Sequence, residues 1–283
     1  MHEIWNTFGG RWYVTLFGTA FAVCAARHLG WRRTIVYAVV AVGIGALAEN
    51  CSVWIGVPYT KYAFNPSFRG NELYVGDVPL FVPLSYTFSG YFAYAAARLV
   101  TSGPWRTRAR QSWHEWVIAI LFAVWPVWIL DPVSRLGGFY LGHIFDYSGG
   151  GFWFGLPLLS QVGFAVVTAA VMAVLFWMTR DEPDVAIANP LRHPHLASLV
   201  IWHAQWLHMA IAALVVGSRT LGGSAFLMYI PAAGMTVVLW STLRARPTHE
   251  LVADRELGTN PSTRRPSATV ADTRCTAEPV SRG

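Results

Sequence analysis

Residues 157–178 read PLLSQVGFAVVTAAVMAVLFWM, a stretch without one charged side chain. A helix that crosses a bilayer needs about 20 mostly apolar residues, because the hydrocarbon core is roughly 30 Å thick and each helical residue rises about 1.5 Å. The stretch has that length, and it is not alone. Comparable runs lie at roughly 11–29, 33–52, 77–98, 113–131, 197–216 and 222–242. The sequence therefore predicts an all-α polytopic membrane helix bundle, with about seven transmembrane helices within residues 1–246.

Composition leads to the same class. The chain has 283 residues, of which 54% are hydrophobic, 14% aromatic and 13% charged. A soluble domain carries about 25% charged residues, so these charges are too few to cover a water-facing surface. They also cluster between the apolar runs, as they do when lipid is the solvent. The net charge of +6 does not point to nucleic acid, since no continuous basic face or reader motif accompanies it. Cys24, Cys51 and Cys275 are far apart and lack disulfide or metal-ligand spacing. The opening MHEIWNTFGGRW has no basic segment followed by a small-residue cleavage site, so the first apolar run reads as a retained span.

The loops assign an orientation. Arg27, Arg32 and Arg33 follow the first run, and Arg98, Arg106, Arg108 and Arg110 follow the third. Arg180 and Arg192 follow the fifth, and Arg244 and Arg246 the seventh. With seven spans these segments share one face, while the other face has only the scattered Arg11, Lys61, Arg69, Arg135 and Arg219. The positive-inside rule then predicts a multi-pass protein of the cell membrane, N-out and C-in. Residues 247–283 lack apolar periodicity and are rich in Pro, Ser, Thr and charge, which predicts a disordered cytoplasmic tail.

Two outer loops, roughly 53–76 and 132–156, are unusual. The first carries Trp54, Tyr59, Tyr62, Phe64, Phe68 and Tyr74; the second carries Phe139, Tyr140, Phe145, Tyr147, Phe152, Trp153 and Phe154. Aromatic, Gly-rich chain beside a membrane lies at the interface or dips back into the bundle, where protein shields its backbone. The loops also share a layout: an acid at the end of a helix (Glu49, then Asp131), an aromatic loop, and a Gly/Pro approach to the next helix. Chance likeness of two hairpins and a parallel duplication both account for it.

Carboxyl groups in apolar spans are costly and mark function. Glu49 falls in the last turn of the second run, Asp77 opens the third, Asp131 closes the fourth, and Asp146 lies in the second long loop. Asp77 at a helix N-terminus is favoured by the dipole, which is a structural explanation in itself; Glu49 and Asp131 at C-termini are not favoured. Glu49, Asp131 and Asp77 are the candidate catalytic residues. The histidines are poorer candidates. His203 and His208 are five apart on one helix, so their rings diverge, and the tight clusters of membrane di-iron enzymes are missing. No metal and no cofactor is expected. One of the pair should hydrogen-bond inside the bundle, and His193 and His195 should face the cytoplasm. Of the 14 tryptophans, Trp31, Trp105, Trp113 and Trp116 suit an interfacial belt, whereas Trp54, Trp128 and Trp153 fall near the acids. Aromatic faces stabilise cations. An acid in an aromatic pocket suits protonation of an alkene and retention of the resulting carbocation.

The segments AENCSVWIGVPYTKYAF (48–64), YVGDVPLFVPLSY (74–86), ILDPV (129–133) and GGGFWFGLPLLSQVGF (149–164) resemble the carotenoid biosynthesis membrane proteins, a family that includes carotenoid 1,2-hydratases. Glu49, Pro58, Tyr59, Tyr62, the Val78–Leu84 segment, Asp131 and Gly155 to Pro157 carry the likeness. The chain departs from the family where an Asn-Phe-x-Gly-Trp pattern is common, having Ser160, Gln161, Gly163 and Phe164 there. The resemblance implies hydration of a terminal isoprene double bond in a lipid-soluble isoprenoid partner drawn from the bilayer. Tyr59, Tyr62, Trp54, Trp128, Trp153, Phe154 and Phe164 are then the candidate substrate-binding residues. A membrane terpene cyclase begins with the same protonation and stays open as a reading, as does a non-enzymatic isoprenoid transporter or binding protein.

Overall fold

The computed structural model describes residues 1–107, 112–137, 142–216 and 218–244. The tail of 247–283, together with Arg108, Arg110, Phe139 and Tyr140, lies outside the described residues. In chain order the elements are α1 (His2–Trp5), a π-helical turn (Asn6–Gly10), α2 (Trp12–Leu29), α3 (Trp31–Ile55), β1 (Tyr62–Phe64), a 3-10 turn (Pro66–Phe68), β2 (Tyr74–Val75), β3 (Val78–Pro79), α4 (Phe81–Ser102), α5 (Ser112–Leu136), β4 (Phe145–Tyr147), α6 (Leu158–Met178), a 3-10 turn (Pro190–Arg192), α7 (Leu196–Val215) and α8 (Arg219–Arg244).

Five helical segments are long and apolar enough to cross a membrane: Trp31–Ile55, Trp113–Leu136, Leu158–Met178, Leu196–Val215 and Arg219–Ser241. The long helices α2 and α4 fall outside that set. For α4 the reason is its position. It packs against α2, α3, α5, α6 and α7, and every residue from Gly90 to Leu99 is buried. A helix surrounded on all sides by protein need not be apolar enough for lipid, so α4 carries Tyr86, Tyr91, Tyr94 and Arg98. The lipid-facing helices instead turn large apolar side chains outward, such as Val39, Val166, Leu227 and Val237. Trp31 and Trp113 are exposed, as belt residues are.

Helix α5 contains Pro126 and Pro132. Each proline lacks an N–H and leaves the carbonyl four residues earlier without its helical partner. Tryptophans from other elements fill both gaps. The Trp202 indole N–H of α7 donates to the Phe122 carbonyl at 3.1 Å, and the Trp153 indole N–H donates to the Trp128 carbonyl at 2.8 Å. No water is at hand in the membrane interior to satisfy a bare carbonyl, so these bonds let a twice-interrupted helix persist.

The two long loops lie at one end of the bundle with the N-terminal segment. Arg11 pairs with Glu72 at 2.9 Å, each side chain only 8% exposed, and the guanidinium sits over the rings of Phe68 and Phe81. The Leu73 N–H donates to Thr7 Oγ1 at 2.9 Å. The loops also pair with each other: β1 and β4 form an antiparallel ladder with Tyr62 opposite Tyr147 and Phe64 opposite Phe145. The first loop is pressed onto α6 at Gly163, where a Cβ would lie 2.1 Å from the Pro58 carbonyl oxygen.

At the other end, the Arg98 guanidinium of α4 donates to Tyr94 Oη at 2.5 Å and to Glu182 at 2.9 Å, and Glu115 lies 4.0 Å away. His193 and His195, in the stretch expected to face the cytoplasm, have buried side chains, 4% and 1% exposed. Their rings lie 5.5 Å apart, and His195 sits edge-on to His28 at 4.5 Å.

Candidate active site

The ends of two helices differ from the sequence expectation, and the difference builds the site. Glu49 is not in a last turn, because α3 continues to Ile55 and is capped by left-handed Gly56. Asp131 does not close its helix either, because α5 runs through Pro132 to Leu136. Both acids are thereby drawn inside the bundle, and the weight given to an unfavourable helix C-terminus falls away. Glu49, 8% exposed, lies one helical turn from Ser52, which accepts the Tyr59 N–H at 3.0 Å.

Both carboxyls line one cavity of about 160 Å³ enclosed by α2, α3, α4, α5, α6, α7 and the two loops. The Tyr86 hydroxyl donates to Glu49 Oε1 at 2.7 Å, and the Tyr62 hydroxyl donates to Glu49 Oε2. Tyr59 and Tyr86 share a hydroxyl–hydroxyl bond of 2.7 Å. Across the ladder the Tyr147 hydroxyl donates to Asp131 Oδ2 at 3.3 Å, and the Tyr62 and Tyr147 ring centroids are 5.6 Å apart. Phe164 of α6 lies against Tyr59 and Tyr86, with centroids 6.1 and 5.7 Å away. The rest of the wall is mainly apolar and aromatic, including Phe17, Phe88, Phe122 and Trp202.

Of the residues expected from sequence, Glu49, Asp131, Tyr59, Tyr62 and Phe164 are brought together around this cavity. The others lie elsewhere. Asp77 does not open a helix: it occupies the turn between β2 and β3, half exposed. The Trp54 indole donates to it at 2.7 Å, and Arg69 pairs with it; these contacts hold its carboxyl below the ordinary range. Trp54 itself points outward. Trp153 binds the backbone of Trp128, and the Phe154 carbonyl accepts from Arg135 at 2.7 Å. Gly155 beside it has φ of +82°, and a Cβ there would overlap the Arg135 guanidinium; that accounts for the glycine at this point. Proximity along the chain to an acid did not reveal which way these rings turn.

Tyr86 and Gln205 also line the cavity and were not picked out in the sequence; Tyr147, Ser160 and His208 line it too, named earlier but assigned no role there. Tyr147 had a signal, since it stands in the second loop about where Tyr62 stands in the first. Asn50, next to Glu49, was missed too. It accepts the Asp77 N–H at 2.8 Å and donates to the Val75 carbonyl at 3.1 Å, which ties the β2–β3 turn to α3. His203 hydrogen-bonds Tyr229 and Thr236 of α8, while His208 turns to the other side, 5.3 Å from the Tyr13 ring. Among the described residues no three His, Cys, Asp or Glu side chains gather as a metal site needs.

A family model described as "carotenoid biosynthesis protein" matches residues 9–238. No curated protein and no solved structure matches the chain.

Proposed function

The chain belongs to the carotenoid biosynthesis protein family, and from that premise we propose that it is an enzyme that hydrates a terminal double bond of a membrane-dissolved isoprenoid. The observation that carries the reading is the joining of Glu49 and Asp131 through Tyr62 and Tyr147 on the wall of one largely apolar cavity. Two carboxyls on one apolar wall can serve as proton donor and proton acceptor in a single addition.

One carboxyl donates its proton to the less substituted alkene carbon. The new C–H bond leaves a tertiary carbocation on the neighbouring carbon. The π-faces of Tyr59, Tyr86 and Phe164 stabilise that charge. Water adds to the cation, and the proton it sheds goes to the other carboxyl, so the net change is addition of one water. The tyrosine hydroxyls hold both carboxyls in place through the sequence.

Size supports an end-group substrate. The cavity of about 160 Å³ compares with an engineered cavity of roughly 150 Å³ that accepts benzene. It takes one end of a long polyene, and the remainder of the chain stays in lipid between helices. In this reading all seven long helices span the membrane, N-terminus outward, and the cavity lies toward the outer leaflet.

The test is mass spectrometry of lipid-soluble products from cells making the precursor and carrying wild type, Glu49→Gln, Asp131→Asn or the double variant. Wild type should give a product heavier by one water, and each variant should lose it. A product of unchanged mass that still needs both acids would make the enzyme a cyclase. Products indifferent to the double variant would remove the catalytic reading and leave a binding or transport protein.

A further inference from the structure

A cavity of about 160 Å³ holds little more than one six-carbon ring, so the remainder of a long isoprenoid has to leave through the wall. Most of the wall is fastened. At α6 the first loop is pressed onto Gly163, with the Pro58 carbonyl against it. Beside α5 the Trp153 indole is hydrogen-bonded to the Trp128 carbonyl. Between α5 and α7, Trp202 stacks on Phe122 with centroids 4.7 Å apart and donates to its carbonyl. Tyr229 of α8 backs that seam, 6.1 Å from the Trp206 ring.

The seam between α2 and α7 is different. Tyr13 of α2 and His208 of α7 both line the cavity, both are half-buried, and their ring centroids lie 5.3 Å apart. The His208 ring also meets Trp12 edge-on at 5.8 Å, and Trp12 is exposed on the outside of the bundle. His208 therefore has the cavity on one side and a surface residue on the other, so the wall here is one ring thick. Leu16, one turn from Trp12, is exposed as well, and so are Leu207 and Ile211, one turn apart on α7. They continue the seam as an apolar surface. Rings that meet across a seam part by rotamer changes, with no backbone hydrogen bond broken.

We propose that the α2–α7 seam is the lateral portal of the site. His208 and Tyr13 swing apart, the end group of an isoprenoid enters from the bilayer, and its hydrocarbon tail stays threaded through the seam, lying along Trp12, Leu16, Leu207 and Ile211. The ligand class is then a linear isoprenoid long enough to fill the cavity and this outer surface together. The inference rests on the cavity being an isoprenoid site and on α2 spanning the membrane. His208 acts as a gate and takes no part in the proton transfers.

Photo-labelling reads where the tail lies. Full-length protein in lipid nanodiscs is mixed with a C20 isoprenoid hydrocarbon carrying a diazirine at mid-chain, illuminated at intervals and digested, and labelled peptides are mapped by mass spectrometry. Label that an excess of the unmodified hydrocarbon removes marks the bound ligand. It should fall on α2 near Trp12 and Leu16 and on α7 near Leu207 and Ile211. Competable label on α3, α6, α8 or the loops instead would overturn the portal and leave the isoprenoid site standing. No competable label anywhere would overturn the isoprenoid reading, and the portal with it. His208→Trp should fill the seam and slow the appearance of label. His208→Ala should widen it and speed that appearance, a gain that poor folding cannot produce. An unchanged rate in the alanine variant would overturn the gate.

Discussion

Tyr62 and Tyr147 stand directly opposite each other on a ladder whose strands come from different loops, and each hydroxyl donates to the carboxyl of the helix preceding its own loop. The pairing continues beyond the strands, where the Ser148 N–H donates to the Lys61 carbonyl at 3.0 Å. Opposed residues in an antiparallel pair are related by a local two-fold, so the ladder presents two acid–tyrosine units in matched positions. A short piece of sheet at the end of a helical bundle thus fixes the distance between two carboxyls that the helices alone would set only loosely.

Removing either hydroxyl should weaken the reaction without unfolding the protein. Tyr62→Phe and Tyr147→Phe keep the rings and the ladder but lose one hydrogen bond to a carboxyl, an interaction of about 1.5–3 kcal/mol where the acceptor is charged. Product formation, read as the product-to-precursor ratio, should fall by about tenfold or more in each variant. Unchanged ratios in both would show that the tyrosines do not hold the reacting groups.

The prolines of α5 supply a stability test. Trp153→Phe leaves the Trp128 carbonyl bare and should destabilise the protein by about 1–3 kcal/mol. Pro132→Ala restores a backbone N–H that can close the helical bond to the same carbonyl. In that background Trp153→Phe should cost clearly less. Unfolding in detergent measures all four corners of the cycle; strict additivity would mean that the indole and the proline are unrelated.

Acid should loosen the other end of the bundle. Burial, reinforced by His28, Arg98 and His193, holds the His195 imidazole well below its ordinary 6.5. Burial also lowers His193. The unfolded chain therefore takes up protons below pH 6.5 that the folded protein refuses, and stability falls as pH drops through that window. The facing groups are Tyr94, His28 and, beyond His28, the Glu182 carboxylate. The loss is at most about 1.4 kcal/mol per pH unit for each histidine. Melting temperatures between about pH 7.5 and 5.5 should decline in wild type, and His195→Phe should reduce the slope. An unaltered slope would place the sensitivity elsewhere.

The helices were legible from apolar length because lipid imposes a length on every span; the third run, read as 77–98, forms α4 at Phe81–Ser102. Glu49 and Asp131 stood out because acids are rare in such runs. Their partners did not. Tyr86 and Gln205 look like ordinary helix residues until neighbouring helices turn them inward, and Tyr147 depends on a strand register that no local pattern announces. Trp153 misled for a related reason: it lies near an acid in sequence, but its N–H serves the Trp128 carbonyl, 25 positions earlier, which Pro132 leaves without a helical partner.

Helix α4 has a consequence for biogenesis. Its tyrosines and, near its C-terminal end, Arg98 are buried among other helices, where their polar groups find protein partners that lipid does not offer. A nascent chain that has emerged only as far as Ser102 lacks α5, which packs against α4 and brings Glu115 toward Arg98. The helix at the centre of the finished protein is therefore one whose polar side chains are matched only when later-made segments arrive, and α5 is the first of them to do so.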